Sequence, residues 1–156
     1  MGQLLQRENV ADFVKKLHQS GKTVVVTNGC FDILHVGHVR YLQKTKTFAD
    51  YSMVLLNSDK SVRSIKGPTR PINNELDRAE VLCALSCVDY VVLFDEDSPR
   101  NLLDKIKPDV YTKGADYTME TLPEADVMKK NNIRVEFIDF VAGKSTTNTI
   151  NKMKES

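Results

Sequence analysis

The sequence predicts an α/β fold: a parallel five-stranded sheet with helices on both faces. Three observations carry this reading. Short apolar, β-branched runs recur at "KTVVVTN" (22–28), "YSMVLLN" (51–57), "VDYVVLF" (88–94), "PDVYTKG" (108–114) and "RVEFIDF" (134–140), the pattern of strands buried on both faces. Segments with helical spacing separate them, and alternating strands and helices favour parallel pairing through right-handed crossovers. Polar or glycine-bearing loops follow four of the five runs, as expected at the edge where such sheets bind ligands.

In chain order, Leu4-Leu5, Val10, Phe13-Val14 and Leu17 recur at helical spacing, and Gly21 supplies a stop. After the first strand, Gly37 to Ala49 predicts a helix with Val39, Leu42 and Phe48 among its core residues. Ser58 to Asn74 carries Gly67, Pro68 and Pro71, and reads as mostly loop with at most one short helical turn. Glu75 to Ser86 predicts a helix burying Leu76, Ala79, Leu82-Cys83 and Leu85. Ser98 is placed to cap a helix beginning at Pro99, where proline is tolerated. A helix over about Leu122 to Asn131 and a closing helix from Thr147 complete the set.

With 156 residues and no repeat or long linker, residues 1–156 are expected to form one domain. Hydrophobic content of 41%, charged content of 28% and a net charge of +1 give no reason to expect nucleic acid or an anionic membrane as partner. Cys30, Cys83 and Cys87 match no disulfide scaffold, and neither a signal peptide nor a spanning segment is discernible, so the expected compartment is the cytoplasm.

The densest chemistry lies in "TNGCFDILHVGH" (27–38), which holds two of the three histidines. A lone histidine beside an apolar run is more often structural. Two of them flanking a glycine at a strand-to-helix junction suggest an anion site. Gly37 lets backbone approach a ligand, and His38 falls in the first helical turn, where free N–H groups and the helix dipole favour phosphate. Imidazole donors there would stabilise charge that shifts during reaction. A zinc site of Cys30, His35 and His38 is the rival, but the spacing matches no usual motif and only Asp32 offers a supporting carboxylate.

"GCFDILHVGH" resembles the HxGH signature of the nucleotidylyltransferase superfamily, whose fold is Rossmann-like. The series "TNGCFDILHVGHVRYL", "NSD", "KGPTRP", "ALSCVDYVV", "KGADY" and "STTNTI" follows the order seen in the heptose 1-phosphate adenylyltransferases, from about Thr23 to Lys152. The resemblance is to the stand-alone form of that enzyme, the N-terminal remainder being too short for a sugar kinase. Glycerol-3-phosphate cytidylyltransferases are the nearest alternative. They typically carry an arginine where Phe140 stands, in an R-T-x-G segment aligned with Phe140 to Gly143, and usually a tryptophan after the third strand, which this chain lacks. A non-catalytic nucleotide sensor on the same fold is a reading from another class. "AGKSTT" also imitates a P-loop, yet the position for its first glycine is Ile138.

The resemblance implies transfer of AMP from ATP to a sugar 1-phosphate by direct in-line attack, with no base, because a phosphate monoester is largely dianionic at neutral pH. It implies catalytic roles for His35, His38 and Lys46. Asn28, Gly29, Cys30, Phe31, Gly37, Asn57, Asp59, Lys113, Gly114, Asp116, Ser145, Thr146 and Thr147 are implied to line the nucleotide, and Asp32, Lys66, Arg70 and Arg78 to meet the sugar phosphate. Cys30 is expected to be chemically inert. Mg²⁺ is expected on the triphosphate without a dedicated protein site, Asp32 being the one candidate contact. A homodimer is the family's habit.

Overall fold

The computed structural model describes residues 1–139. Their elements in order are β1 (Gln3–Leu5), α1 (Arg7–Gln19), β2 (Val24–Gly29), α2 (Val36–Lys46), β3 (Tyr51–Asn57), α3 (Asp59–Lys66), α4 (Glu75–Cys83), β4 (Tyr90–Phe94), α5 (Arg100–Ile106), β5 (Val110–Gly114), α6 (Ala125–Lys130) and β6 (Arg134–Ile138). All pairings are parallel, in the order β1-β4-β3-β2-β5-β6. The five expected strands are present, and a sixth joins them at one edge.

That sixth strand corrects the reading of the N-terminus. Leu4 and Leu5 belong to β1, in register with Val91 and Val92, and the helix begins only at Arg7. Gly2 fixes the entry: its N–H donates to the Cys83 carbonyl at 2.7 Å, and a Cβ there would lie 2.7 Å from the Val88 oxygen. Three apolar residues on an edge strand mimic the first turn of an amphipathic helix, so spacing alone could not separate the two.

The continuous apolar runs are explained by two cores, one on each face. Met53 and Leu55 of β3 pack with Val10, Val14, Leu102, Leu103 and Met128 on one face. Val54 and Leu56 pack with Leu42, Ala79 and Leu82 on the other. Successive side chains point to opposite faces, so a strand covered on both sides must be apolar throughout.

Three local expectations change. Residues 59–66 form a full helix, α3, with the Ser58 hydroxyl accepting the Ser61 N–H at 3.2 Å. Leu76 is 63% exposed, on the outer face of α4. Pro99 is the residue preceding α5, which no side chain caps. The expected helix from Thr147 lies outside the described residues. No described helix is long and apolar enough to cross a membrane.

Candidate functional site

Since every strand is parallel, the segments following β2, β3 and β5 leave the sheet at one edge, its carboxyl edge. The topology reverses between β2, which continues into β3, and β5, which continues toward β6. Asn28 and Lys113 flank that switch point, where α/β sheets open a crevice. The "AGKSTTNT" loop, with Ser145, Thr146 and Thr147, lies outside the described residues.

The histidine pair builds its own helix start. His35 is the residue preceding α2, and its Nδ1 accepts the Gly37 N–H at 3.1 Å. His38 reaches back, its Nδ1 accepting the His35 N–H at 3.3 Å. This is a reciprocal capping box made from imidazoles in place of hydroxyl and carboxylate. An accepting Nδ1 carries no proton, so each neutral ring holds its hydrogen on Nε2 and offers that edge as donor. The rings stack at 3.9 Å between centroids, and the Phe31 ring meets His38 edge-on at 5.3 Å. Burial, then His35 and Lys66, push the His38 pKa down to about 4. His38 is therefore a neutral donor at physiological pH. Gly37 is buried, and its N–H is committed to this cap.

Gly29 and Phe31 shape the approach. Phe31 has φ of 43°, in the left-handed region, and its ring would lie 2.8 Å from a Cβ on residue 29. Only glycine at position 29 leaves that ring in place.

A basic group faces this turn. Lys66, Arg78 and Arg70 all act on the Cys30 thiol, whose pKa is nevertheless raised, by burial first. Cys30 is thus a thiol rather than a nucleophilic thiolate. Within the group the three cations differ. Lys66 is exposed and has no ion pair among the described residues. Arg70 donates through Nε to Asp32 at 3.1 Å, while its Nη2 is buried with no hydrogen-bond partner among the described residues.

Arg78 requires a correction. It is 2% exposed, and it donates to the carbonyls of Asn73 (2.9 Å), Cys30 (2.8 Å) and Asn57 (2.7 Å) and to the Asp59 carboxylate (2.9 Å). It is a brace tying three rim segments together, not a surface group awaiting a sugar phosphate. Asn57 and Asp59 belong to the same brace: Asn57 is buried, its Nδ2 donating to Ser61 at 2.9 Å. Asp32 is similarly committed. Its buried carboxylate accepts N–H groups from Ile72 (2.8 Å) and Asn73 (2.9 Å) besides Arg70, and these bonds hold its pKa low against burial. It clamps the 70–73 loop, with three donors on its two oxygens. Among the described residues, no group of three or more His, Cys, Asp or Glu is arranged to hold a metal ion.

Lys46 is a second correction. Helix α2 runs antiparallel to the strands, so its last residue sits at the opposite, amino edge, about 12 Å of helix away from His38. There Lys46 pairs with Asp89 and donates to the Asp50 carbonyl at 2.8 Å. It cannot reach a phosphate held by the histidines.

At the other side of the crevice, Lys113 lies 3.4 Å from Asn28 Oδ1 and 3.8 Å from Glu124. Its pKa is lowered, burial being the main cause, against the opposing pull of Glu124, Asp116 and Cys30. Gly114 ends β5 in register with Ile138, and Asp116 is exposed beyond it. Sequence reasoning missed Glu124 and Tyr111, which support Lys113 from below. A tyrosine inside a strand buried on both faces demands a hydroxyl partner, and that demand was the available signal.

The cytidylyltransferase-like family matches residues 26–151. The bifunctional protein HldE of Syntrophotalea carbinolica is 52% identical over 147 residues, covering 94% of this chain and 30% of its own length. HldE of Campylobacter fetus subsp. fetus is 52% identical over 143 residues, with 92% and 30% covered. The chain thus spans about 30% of the length of these curated relatives. Among solved structures, the lipopolysaccharide core biosynthesis protein from Thermoplasma volcanium superposes with a TM-score of 0.62 at 31% identity, covering 78% of this chain and 98% of that one.

Proposed function

From the premise that this chain belongs to the cytidylyltransferase-like family and is a nucleotidyltransferase, we propose that it transfers AMP from ATP to D-glycero-D-manno-heptose 1-phosphate, releasing pyrophosphate and ADP-heptose. The single observation that carries the transfer chemistry is the pair of stacked imidazoles whose Nδ1 atoms are fixed by backbone N–H groups, which leaves Nε2 as the proton-bearing edge of each neutral ring at a helix N-terminus. The choice of acceptor is supported by the order of motifs along the chain and by the identity of about 50% to HldE proteins.

In this reading the sugar phosphate, already dianionic, attacks the α-phosphorus in line, and the protein supplies position and charge. The His35 and His38 Nε2–H groups donate to phosphate oxygens, strengthening as negative charge moves toward the leaving pyrophosphate. Lys66 and the Arg70 Nη2, which has no partner among the described residues, face the same turn and receive the phosphates from the α3 side. Lys113 approaches from β5. Asn28, Gly29, Cys30 and Phe31 form the floor, and Ser145, Thr146 and Thr147 complete the grip on the β- and γ-phosphates. Magnesium enters as part of the nucleotide substrate, neutralising the triphosphate. A cytoplasmic homodimer belongs to the same reading.

The test is pyrophosphate release from ATP or CTP with heptose 1-phosphate or glycerol 3-phosphate. Release with ATP and heptose 1-phosphate is expected. Release only with CTP and glycerol 3-phosphate would reassign the substrates, and no release with any acceptor would favour a nucleotide sensor.

A further inference from the structure

A polar network that the site description leaves unused lies beneath Lys113. Glu124 precedes α6 and is only 2% exposed. Its Oε1 accepts the Tyr111 hydroxyl at 2.8 Å and lies 3.8 Å from Lys113 Nζ, while Oε2 lies 3.4 Å from the Ser98 hydroxyl. The Tyr111 hydroxyl also meets Asn28 Oδ1, and Lys113 Nζ lies 3.4 Å from that same oxygen. The ammonium is therefore held between one amide oxygen and one carboxylate, with the Tyr117 ring 5.0 Å away.

A buried carboxylate is costly unless it is paired. Its placement beside Lys113 gives it a definite consequence. Burial disfavours the Lys113 ammonium, and Glu124 is the largest influence restoring it, followed by Asp116 on the loop after β5 and Cys30 on the loop after β2. Tyr111, with its pKa driven well above the ordinary tyrosine value, stays a neutral donor to Glu124 throughout the working range.

We propose that Glu124 is a positioning residue for nucleotidyl transfer: through the Tyr111–Asn28 network it keeps the Lys113 ammonium charged and aimed into the crevice, ready for the polyphosphate of the nucleotide. Glu124 touches no reacting atom; it acts through Lys113. The inference rests on the nucleotidyltransferase reading for the reaction, but the state of Lys113 can be read without any substrate.

The full chain labelled with [ε-¹³C]lysine is titrated with pH, the Lys113 signal being the one missing from Lys113→Arg. Glu124→Gln keeps the side chain's size and an acceptor for Tyr111 while removing the charge. Its Lys113 midpoint is expected to fall by about 1 pH unit or more, since an opposite charge at this range is worth that much. The alkaline limb of kcat/KM for magnesium-ATP is expected to move down with it. In a Lys113→Met background, Glu124→Gln is expected to cause no further loss. Glu124→Asp, which keeps the charge, serves if the glutamine variant does not fold, and is expected to hold the midpoint nearer to wild type than Lys113 in a Glu124→Ala chain. An unshifted midpoint, or a loss of activity equal at every pH, would overturn the proposal. Absence of pyrophosphate release from the parent protein would instead count against the adenylyltransferase reading and leave the midpoint shift as the deciding result.

Discussion

At the amino edge of the sheet, each of three carboxylates takes a backbone N–H at or next to a strand's start and a second donor. Asp50 accepts from Thr23 at 2.8 Å, Asp89 from Ser52 at 2.9 Å and from Lys46, and Asp109 from Val24 at 2.8 Å and from His18 at 2.8 Å. The carboxyl edge holds the same residue types in a different state. Its carboxylates Asp32 and Asp59 are turned inward to clamp loops, Lys66 has no ion pair among the described residues, and one Arg70 nitrogen lacks a partner among them. His18 is a surface partner of an aspartate; His38 is a desolvated neutral donor. One edge is closed electrostatically, and at the other Lys66 and Arg70 keep donor capacity unspent among the described residues. Residue type does not separate the edges; hydrogen-bond commitment does.

The largest effect that tests this contrast is on turnover. His38→Ala is expected to lower kcat by ~10² or more, the worth of one preorganised donor to developing charge, with the helix cap costing only about 1 kcal/mol of stability. Steady-state kinetics and a denaturant titration on the same sample separate the two. Next comes stability. Arg78→Met leaves the Asp59 carboxylate and three carbonyls without their buried partner, and is expected to cost about 3–5 kcal/mol in urea unfolding. An exposed, substrate-binding arginine would cost almost nothing.

Lys46→Met sharpens the comparison from the other edge. It is expected to cost about 1 kcal/mol or less of stability and to leave kcat within about twofold, because proximity to the reacting atoms is what a catalytic cation requires. A hundredfold loss of kcat would return Lys46 to the reaction. A last expected effect is a pH dependence. His38 has its folded pKa lowered from 6.5 to about 4. The unfolded chain therefore takes up a proton that the folded chain refuses, and stability contributed at this site falls as pH drops from about 6.5 toward 4. His38→Gln is expected to flatten that part of the stability profile relative to wild type.

Much of this was legible because local chemistry and global fold agreed. The β-branched runs at Val24-Val25-Val26 and at Tyr51 to Asn57 could be satisfied only by a sheet covered on both faces, and the HxGH turn announced itself by two scarce histidines at capping distance. What escaped depended on direction and depth, which spacing does not encode. Lys46 lies eight residues after His38 on one helix, and a helix carries its last turn to the far side of the sheet. Arg78 and Asp32 look like surface charges until the loops fold over them. Leu4-Leu5 fit a helix period as well as an edge strand, and only pairing with β4 decides between them.

Because the chain has three histidines, one at the amino edge and two at the carboxyl edge, ¹⁵N-histidine spectra test the central claim directly. The rings of His35 and His38 are expected to show protonated Nε2 and accepting Nδ1, and their Nε2 signals to shift on addition of a magnesium-bound, non-hydrolysable ATP analogue, with His18 unmoved. Protons on Nδ1 of the pair, or a response from His18 while His35 and His38 stay still, would contradict the account.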